Sequence, residues 1–573
     1  MRIKFVRISV IFIFLFLGSN LLYLEIFRGR EFRHKSFKNR IRLLPQEGCR
    51  GKILDRNNHP IVDNELSYDV FILPQDSSAQ TQKLLQEISR VLQRPIQDLN
   101  IALKSQFVAP FAPILLVNDI EIRQAIMLEE LKTDFPGIIV QTRVKRHYPF
   151  GRLASHLIGY LGEIDPWRLK KLADYGYKSK DIVGFSGIEE KYDYYLRQEE
   201  GGLSIEVDHR GRFVRVVGYR PPKNGKDIQL TIDLRLQKIV EEIMRDRIGS
   251  VIIMEPGQGE ILAMASFPNF NPAIFIKKSN SLLKDILHHP EAPLLNRAIS
   301  GTYPAGSIFK LVVAIAALET EKLDLKRRFF CSGKMQIGKQ EFSCWDVHND
   351  ENLQEAISHS CNIFFYHTGL LLGGQLIHDW GLQLGFYKPT GIDLPYEASG
   401  FVPSPLWRSL FRLRNWSAGD TANLSIGQAE LLVTPLQVCR MMAILANQGK
   451  LVTPHVVKSI AGKEILWPEK RIIGIHLKKK TLDYLRQGLR RVVMDKDGTA
   501  HNLSSLSVSV AGKTGTAQVA AGAPHGWFAG FFPYKDPKFV LCVFLEHGGS
   551  GYAASSLAKQ IIEKMLQEGL IES

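Results

Sequence analysis

Cysteine is scarce in this chain, six in 573 residues, which excludes a fold held together by disulfides. Long uncharged runs are scarcer still. One stretch, Ile8 to Leu24 (ISVIFIFLFLGSNLLYL), passes 17 residues without a charge, and no other segment reads as a clean membrane span. Acidic residues are short relative to basic ones, 58 Asp and Glu against 73 Lys and Arg, for a formal net charge of +15. That surplus suits an anionic partner: a nucleic acid, a membrane surface or an anionic polymer. No zinc-finger or RNA-binding signature accompanies it, so nucleic acid is set aside. Apolar residues at 45% and charged residues at 23% are the proportions of a globular chain and not of a disordered one. At about 150 residues per domain, the length calls for roughly four structural units.

The uncharged run rises about 26 Å as a helix, close to the hydrocarbon thickness of a thin bilayer. No A-x-A-like cleavage site and no cysteine for lipidation follow it, so it reads as an uncleaved signal anchor and the protein as single-pass. Arg2, Lys4 and Arg7 precede the run, and Arg28, Arg30, Arg33 and Lys35 follow it. This count does not orient the span, but long domains translocate regardless of such charges. The expected organisation is an N-terminal tail over 1–7, the transmembrane anchor over 8–27, a first domain outside the bilayer over 28–222 and a C-terminal domain over 223–573.

Gln80 to Leu92 carries an amphipathic helical pattern, and Leu234 to Arg247 a second one. Two apolar runs, Ser250 to Glu255 and Glu260 to Phe267, flank Pro256-Gly257-Gln258-Gly259 and read as a hairpin. A long helical region follows. Alternation returns over Leu506 to Val519, then come Trp527 to Phe532, a turn at Tyr534-Lys535-Asp536-Pro537 and Phe539 to Leu545, and a helix over Ala553 to Leu566. The expected fold class is α+β: a five-stranded, mainly antiparallel sheet split in sequence by a helical insert.

The tetrad S-x-x-K occurs three times, at Ser281–Lys284, Ser307–Lys310 and Ser556–Lys559, about as often as chance allows. Context separates them. Ser307 lies in Tyr303-Pro304-Ala305-Gly306-Ser307-Ile308-Phe309-Lys310-Leu311-Val312, where Pro and Gly precede and a strongly apolar helix follows. Lys310 then stands one turn on, on the same face. A serine hydroxyl needs a base beside it to act as a nucleophile. A lysine supplies one when burial or another cation depresses its pKa. Ser281 lies in a polar stretch and Ser556 in an ordinary helix, both expected at the solvated surface. Ser360-Cys361-Asn362 follows in the helical region, and Lys513-Thr514-Gly515-Thr516 carries the chain's one K-T-G. The ordered set S-x-x-K, an S-x-N triplet and K-T-G marks penicillin-binding proteins and serine β-lactamases. Ser360 can relay a proton between Lys310 and a leaving group, and Asn362 can hold a substrate amide. Lys513 offers charge to a substrate carboxylate, and Gly515 lets a peptide approach the strand edge.

The chain resembles the class B penicillin-binding proteins over nearly its whole length. Arg50-Gly51-Lys52-Ile53-Leu54-Asp55-Arg56 matches their R-G-x-I-x-D-R box. Ala154-Ser155-His156-Leu157-Ile158-Gly159-Tyr160 and Gly184-Phe185-Ser186-Gly187-Ile188-Glu189 look like their pedestal motifs, and Asn296-Arg297-Ala298 precedes the nucleophile. Within the class, the segments Gly419 to Gln428 and His525 to Gly530 are similar to the elongation transpeptidases, with the division-specific paralogue as alternative. The triplet departs from the β-lactamase pattern in having Cys361 in its middle. The resemblance implies peptidoglycan D,D-transpeptidation at the outer side of the cytoplasmic membrane. Ser307 attacks the D-Ala–D-Ala carbonyl of a stem peptide, and the backbone N–H groups of Ser307 and Thr516 form the oxyanion hole. Thr514, Gly515 and Thr516 line the substrate strand. Penicillins and other β-lactams are taken as substrate mimics. No glycosyltransferase-like domain is recognisable, so a SEDS-family glycan polymerase and other elongation-complex proteins are the expected partners. A β-lactamase or penicillin sensor would not need some 200 residues of pedestal, and the intact Ser307, Lys310 and Lys513 argue against a non-catalytic scaffold.

Cys331, Cys344, His348 and Cys361 form C-x12-C-x3-H-x12-C. Catalysis needs no cofactor, but this spacing admits three readings: a tetrahedral three-Cys, one-His zinc site, a Cys331–Cys344 disulfide, and buried free thiols. Some relatives carry a metal site in this region, often with Asp for some of the Cys. Cys49, Cys439 and Cys542 read as small buried residues.

Overall fold

The computed structural model describes residues 2–72, 78–105, 113–135, 137–207, 213–277, 280–465 and 472–572. The uncharged run lies within a single helix, Arg2–Ile26. Its stretch Ile3–Ile26 has a mean hydropathy of 2.1 and buries none of that surface in the protein. By length and composition it is able to cross a bilayer.

The remainder packs as two compact units, each assembled from separated stretches of sequence. The first comprises Met1–Gly51, Asn64–His147 and Arg197–Gly225. In it, strand Gly201–Val207 is the centre of a three-stranded antiparallel sheet, between Ile41–Gln46 and Phe213–Arg220. A separate small core gathers Val70, Ile72, Leu84, Leu85, Ile88, Ile114, Leu128 and Ile138. The amphipathic helix expected from Gln80 is Ser78–Leu92, and its Leu84, Leu85 and Ile88 at helical spacing form the buried stripe.

The second unit comprises Lys52–Asp63, Tyr148–Leu196 and Lys226–Ser573. Its centre is a five-stranded sheet of β1 (Gly249–Met254), β2 (Ile261–Phe267), β3 (Ala511–Ala517), β4 (His525–Phe532) and β5 (Phe539–Leu545), in the order β2-β1-β5-β4-β3. All four pairings are antiparallel. Every residue of β1, β2 and β4 is buried, so both faces of the sheet are covered and the strands read as continuous apolar runs. The β1–β2 turn is held by Glu255, whose carboxylate accepts from the backbone N–H of Gly257 and Gln258, each at 2.6 Å. Helix Gly551–Gln567 packs on β4 and β5 and on helix Leu234–Met244, and the wholly buried helix Pro435–Ala446 packs on β1, β4 and β5. The fold is α+β, with the two halves of the sheet separated by the helical insert.

Among the boundaries that differ from the sequence pattern, two have a visible cause. The alternation from Leu506 becomes strand only at Ala511. Ser509 is taken up by the turn after β4, where its carbonyl accepts from Tyr534 N at 2.8 Å. The last helix starts earlier, at Gly551, because Ser550 caps it by accepting from Ala553 N at 3.4 Å. Of the R-G-x-I-x-D-R box, Asp55 is fully buried and accepts from Asn57 N, His59 N and Leu234 N. It thereby fastens the box to the start of helix Leu234–Met244.

Candidate active site

Ser307 lies in a 3-10 turn, Gly306–Phe309, that runs straight into helix Lys310–Glu319. Pro304 and Gly306 stop the helix from starting earlier. The chain from Lys310 to Leu318 is buried throughout, so the helix is a core element and the turn at its head is fixed. Three contacts hold that turn against its surroundings. Trp527 Nε1 on β4 donates to Pro304 O at 3.0 Å, and Gly306 N donates to Gly427 O at 2.9 Å. The third is backbone approach. Gly306 has φ +53°, and a Cβ there would stand 2.7 Å from Thr516 O on β3. A Cβ on Gly515 would stand 3.0 Å from Ile308 and 3.2 Å from Ala305 O. Glycine at both positions is what lets the Ser307 turn and the K-T-G strand touch.

Lys310 is fully buried. Its Nζ donates to Ser360 O at 2.7 Å, to Ser360 Oγ at 3.3 Å and to Asn362 Oδ1 at 2.7 Å. Burial pushes its pKa down to about 8, against the opposing pull of Cys344, Cys361 and Glu351. Ser360 reaches Lys310 with both its carbonyl and its hydroxyl because its backbone is left-handed, φ +57°. That conformation costs a non-glycine residue on the order of 1 kcal/mol or more. The residue sits in the break between helices Leu353–Ser358 and Asn362–Leu372. Asn362 is held at its other end, where Nδ2 donates to Ser343 O at 3.1 Å.

Lys513 on β3 is also fully buried. Its Nζ donates to Thr514 O at 3.1 Å. Burial, and then the charge of Lys310, drive its pKa well below the ordinary lysine value. Thr514 Oγ1 donates to Thr499 Oγ1 at 2.7 Å. The Thr516 side chain is exposed, and its Oγ1 accepts from Gly551 N at 3.1 Å. The Ser307 turn and the K-T-G strand therefore meet at Gly306 and Gly515, and Ser360 and Asn362 meet on Lys310, with both Lys310 and Lys513 buried. In the Ser556 tetrad, serine and lysine have other partners. Lys559 pairs with Glu563 at 3.7 Å, while Ser556 is half-buried and accepts from Asn502 Nδ2 at 3.4 Å, less solvated than the sequence suggested. The side chain of Ser281 lies outside the described residues.

Beside the triplet, one ligand atom each from Cys331, Cys344, His348 and Cys361 lie within 4.8 Å of one another. His348 Nδ1 stands 3.5 Å from the sulfurs of both Cys331 and Cys344. All six cysteines are free thiols. Cys439 and Cys542 are buried as expected, while Cys49 is only half-buried. Cys361 caps helix Asn362–Leu372, its sulfur accepting from Phe364 N at 3.5 Å, and Asn362 N donates to Cys344 Sγ at 3.2 Å. Donors at a helix N-terminus favour thiolate. Hydrogen bonds from Cys361 and His348 push the Cys344 thiol down, and Cys344 in turn pushes the Cys361 thiol up. Three convergent sulfurs and one imidazole nitrogen, with helix N–H groups aimed at two of the sulfurs, fit a tetrahedral zinc ion.

Sequence reasoning missed Thr499, which holds Thr514, and the buried Glu351 with its partner His359. A hydroxyl or an acid at the end of a short element has no periodic or spacing signal. Only the distance between elements reveals it.

A fold of this kind, with a serine at the head of a buried helix, a lysine one turn on and a K-T-G strand across from both, defines a serine acyl-transfer enzyme of the penicillin-recognising type. The chain belongs to the penicillin-binding proteins: residues 249–567 match the family described as Penicillin binding protein transpeptidase domain, and residues 45–230 match the Penicillin-binding Protein dimerisation domain. Within that family it is similar to penicillin-binding protein 2. It is 32% identical to the peptidoglycan D,D-transpeptidase MrdA of Acinetobacter baumannii over 99% of this chain and 87% of that protein. The Helicobacter pylori penicillin-binding protein 2 in its complex with MreC superposes with a TM-score of 0.80 at 28% identity, over 93% of this chain and 99% of that one. A chain from a peptidoglycan synthase complex, solved to show how polymerisation and crosslinking are coordinated, gives 0.74 at 27% identity over 100% of this chain and 99% of that one.

Proposed function

We propose that this protein is a peptidoglycan D,D-transpeptidase of cell-wall elongation that works through a Ser307 acyl-enzyme. The observation that carries the reading is Lys310: a fully buried lysine, held by Ser360 and Asn362, with its pKa lowered to about 8. A lysine in that state is neutral in an appreciable fraction of molecules near neutral pH and is able to take a proton from the serine beside it. Ser307 Oγ attacks the penultimate D-Ala carbonyl. The terminal D-Ala leaves with a proton relayed from Lys310 through Ser360, and an amine of a neighbouring stem peptide then takes the acyl group. The backbone N–H groups of Ser307 and Thr516 stabilise the oxyanion. Lys513, with Thr514 and Thr516, binds the terminal carboxylate, and Gly515 keeps the strand open to the peptide. Asn362 holds the stem amide.

Zinc fits Cys331, Cys344, His348 and Cys361 as a structural ion, and when bound it would cross-link the strand and loop before the triplet to the triplet itself. The helix Arg2–Ile26 anchors the protein in the cytoplasmic membrane, with residues 28–222 as pedestal and 223–573 as catalytic domain on the outer side. The complexes of the two structural relatives support an elongation-complex scaffold protein and a SEDS-family glycan polymerase as partners.

The reading is tested by intact-mass analysis after incubation with penicillin. One adduct is expected, on the peptide containing Ser307. It is lost in Ser307→Ala and retained in Ser556→Ala. An adduct that survives Ser307→Ala removes the catalytic assignment.

A further inference from the structure

Glu351 ends the short strand Asn349–Glu351 and is 1% exposed. One carboxylate oxygen accepts from His359 Nδ1 at 2.5 Å. The other has no hydrogen-bond partner among the described residues. Leaving a buried carboxylate oxygen unpaired is costly, and an apolar residue would fill the same space without that cost. His359, the donor in this contact, is held at its backbone and its ring as well. Its N–H donates to Glu355 O at 2.8 Å, its carbonyl accepts from Trp345 Nε1 at 3.0 Å, and its ring stacks on His348 at 5.8 Å with 3° between the planes. The next residue is Ser360, whose left-handed backbone turns its carbonyl and hydroxyl onto Lys310.

We infer that Glu351, acting through His359, is a positioning residue of the transpeptidase: it clamps the turn that aims Ser360 at Lys310. The inference rests on Lys310 serving as the base proposed above.

The test measures the limiting rate at which a fluorescent penicillin acylates the full-length protein and, separately, the penicillin concentration that gives half of it. A misaimed Ser360 slows the chemical step without touching the groups that bind the drug, so Glu351→Gln should cut the limiting rate about 5- to 20-fold at an unchanged half-saturating concentration. Glu351→Asp, which keeps a carboxylate acceptor on a shorter stem, should recover part of that rate. A Glu351→Gln protein that melts earlier but keeps the wild-type limiting rate, or that loses rate and binding alike, overturns the inference and leaves Glu351 a support of the fold alone. If that variant does not fold, His359→Ala carries the test, with an expected fall of about tenfold in rate at Ser307; an unchanged rate overturns it. Wild-type protein that is not labelled at Ser307 would instead count against the catalytic reading itself.

Discussion

Lys513 pits stability against activity within one side chain. It is fully buried, and Lys310 adds to the electrostatic cost of its charge. Its pKa in the fold lies well below the unfolded value of 10.5. The unfolded chain therefore binds the proton more tightly than the native one. Native stability owed to this group is complete only above the unfolded pKa and falls away as the pH drops through the folded one. At neutral pH the lysine is a burden that a bound carboxylate would relieve. Lys513→Met keeps the length and removes the charge. It should raise the melting temperature by a few degrees while acylation by penicillin slows about 10- to 100-fold, the equivalent of one lost charge-assisted hydrogen bond. Thermal melts and acylation rates on the same preparations check both halves. A variant that loses stability along with activity would show that the lysine supports the fold.

At the scale of elements, helix Asn362–Leu372 links the catalytic triplet to the thiol cluster. Its first residue holds Lys310, and the residue before it, Cys361, is both its cap and a member of the cluster. Protein purified without added metal should contain about one zinc per chain. Chelation or Cys344→Ser should lower the melting temperature by on the order of 5–10 °C and slow acylation together, because a structural metal adds directly to folding free energy. Metal-free protein acylated at full rate would leave the cluster without a zinc role. Much of this was legible in the chain: apolar runs at strand length bracket a helical insert, and Pro and Gly before Ser307 with a wholly apolar stretch after it give away a buried helix with a fixed head. The C-x12-C-x3-H-x12-C spacing likewise drew attention to four residues whose ligand atoms do converge. What no pattern displayed was the left-handed Ser360. A serine at positive φ is maintained by contacts from Trp345 and Glu351 to the preceding His359 and from Lys310 to Ser360 itself, and those contacts join segments that only the folded chain brings together. Thr499 was hidden for the same reason, since what ties it to the site is a hydroxyl contact to Thr514.

For the whole molecule, the strand order matters more than the strand count. β5 lies between β1 and β4, so it joins the early hairpin to the K-T-G side of the sheet. A chain ending before Phe539 keeps every residue assigned here to catalysis or metal binding, yet it has no strand to connect Ser307's surroundings to both halves of the sheet. Such a chain should show no specific penicillin labelling and no cooperative melt; labelling at the wild-type rate would mean that the two halves meet without β5. The same arrangement sets a timetable. Gly249 has Leu545 as its partner, about 300 residues later. At roughly 5–20 residues per second, synthesis takes about 15–60 s to deliver it. For that interval the β1–β2 hairpin carries an open edge, and the Ser307 helix, already made, has no finished sheet to lie against. The newborn chain is a client for whatever shields unpaired strands, and it is blind to penicillin until the strand at 539–545 has arrived.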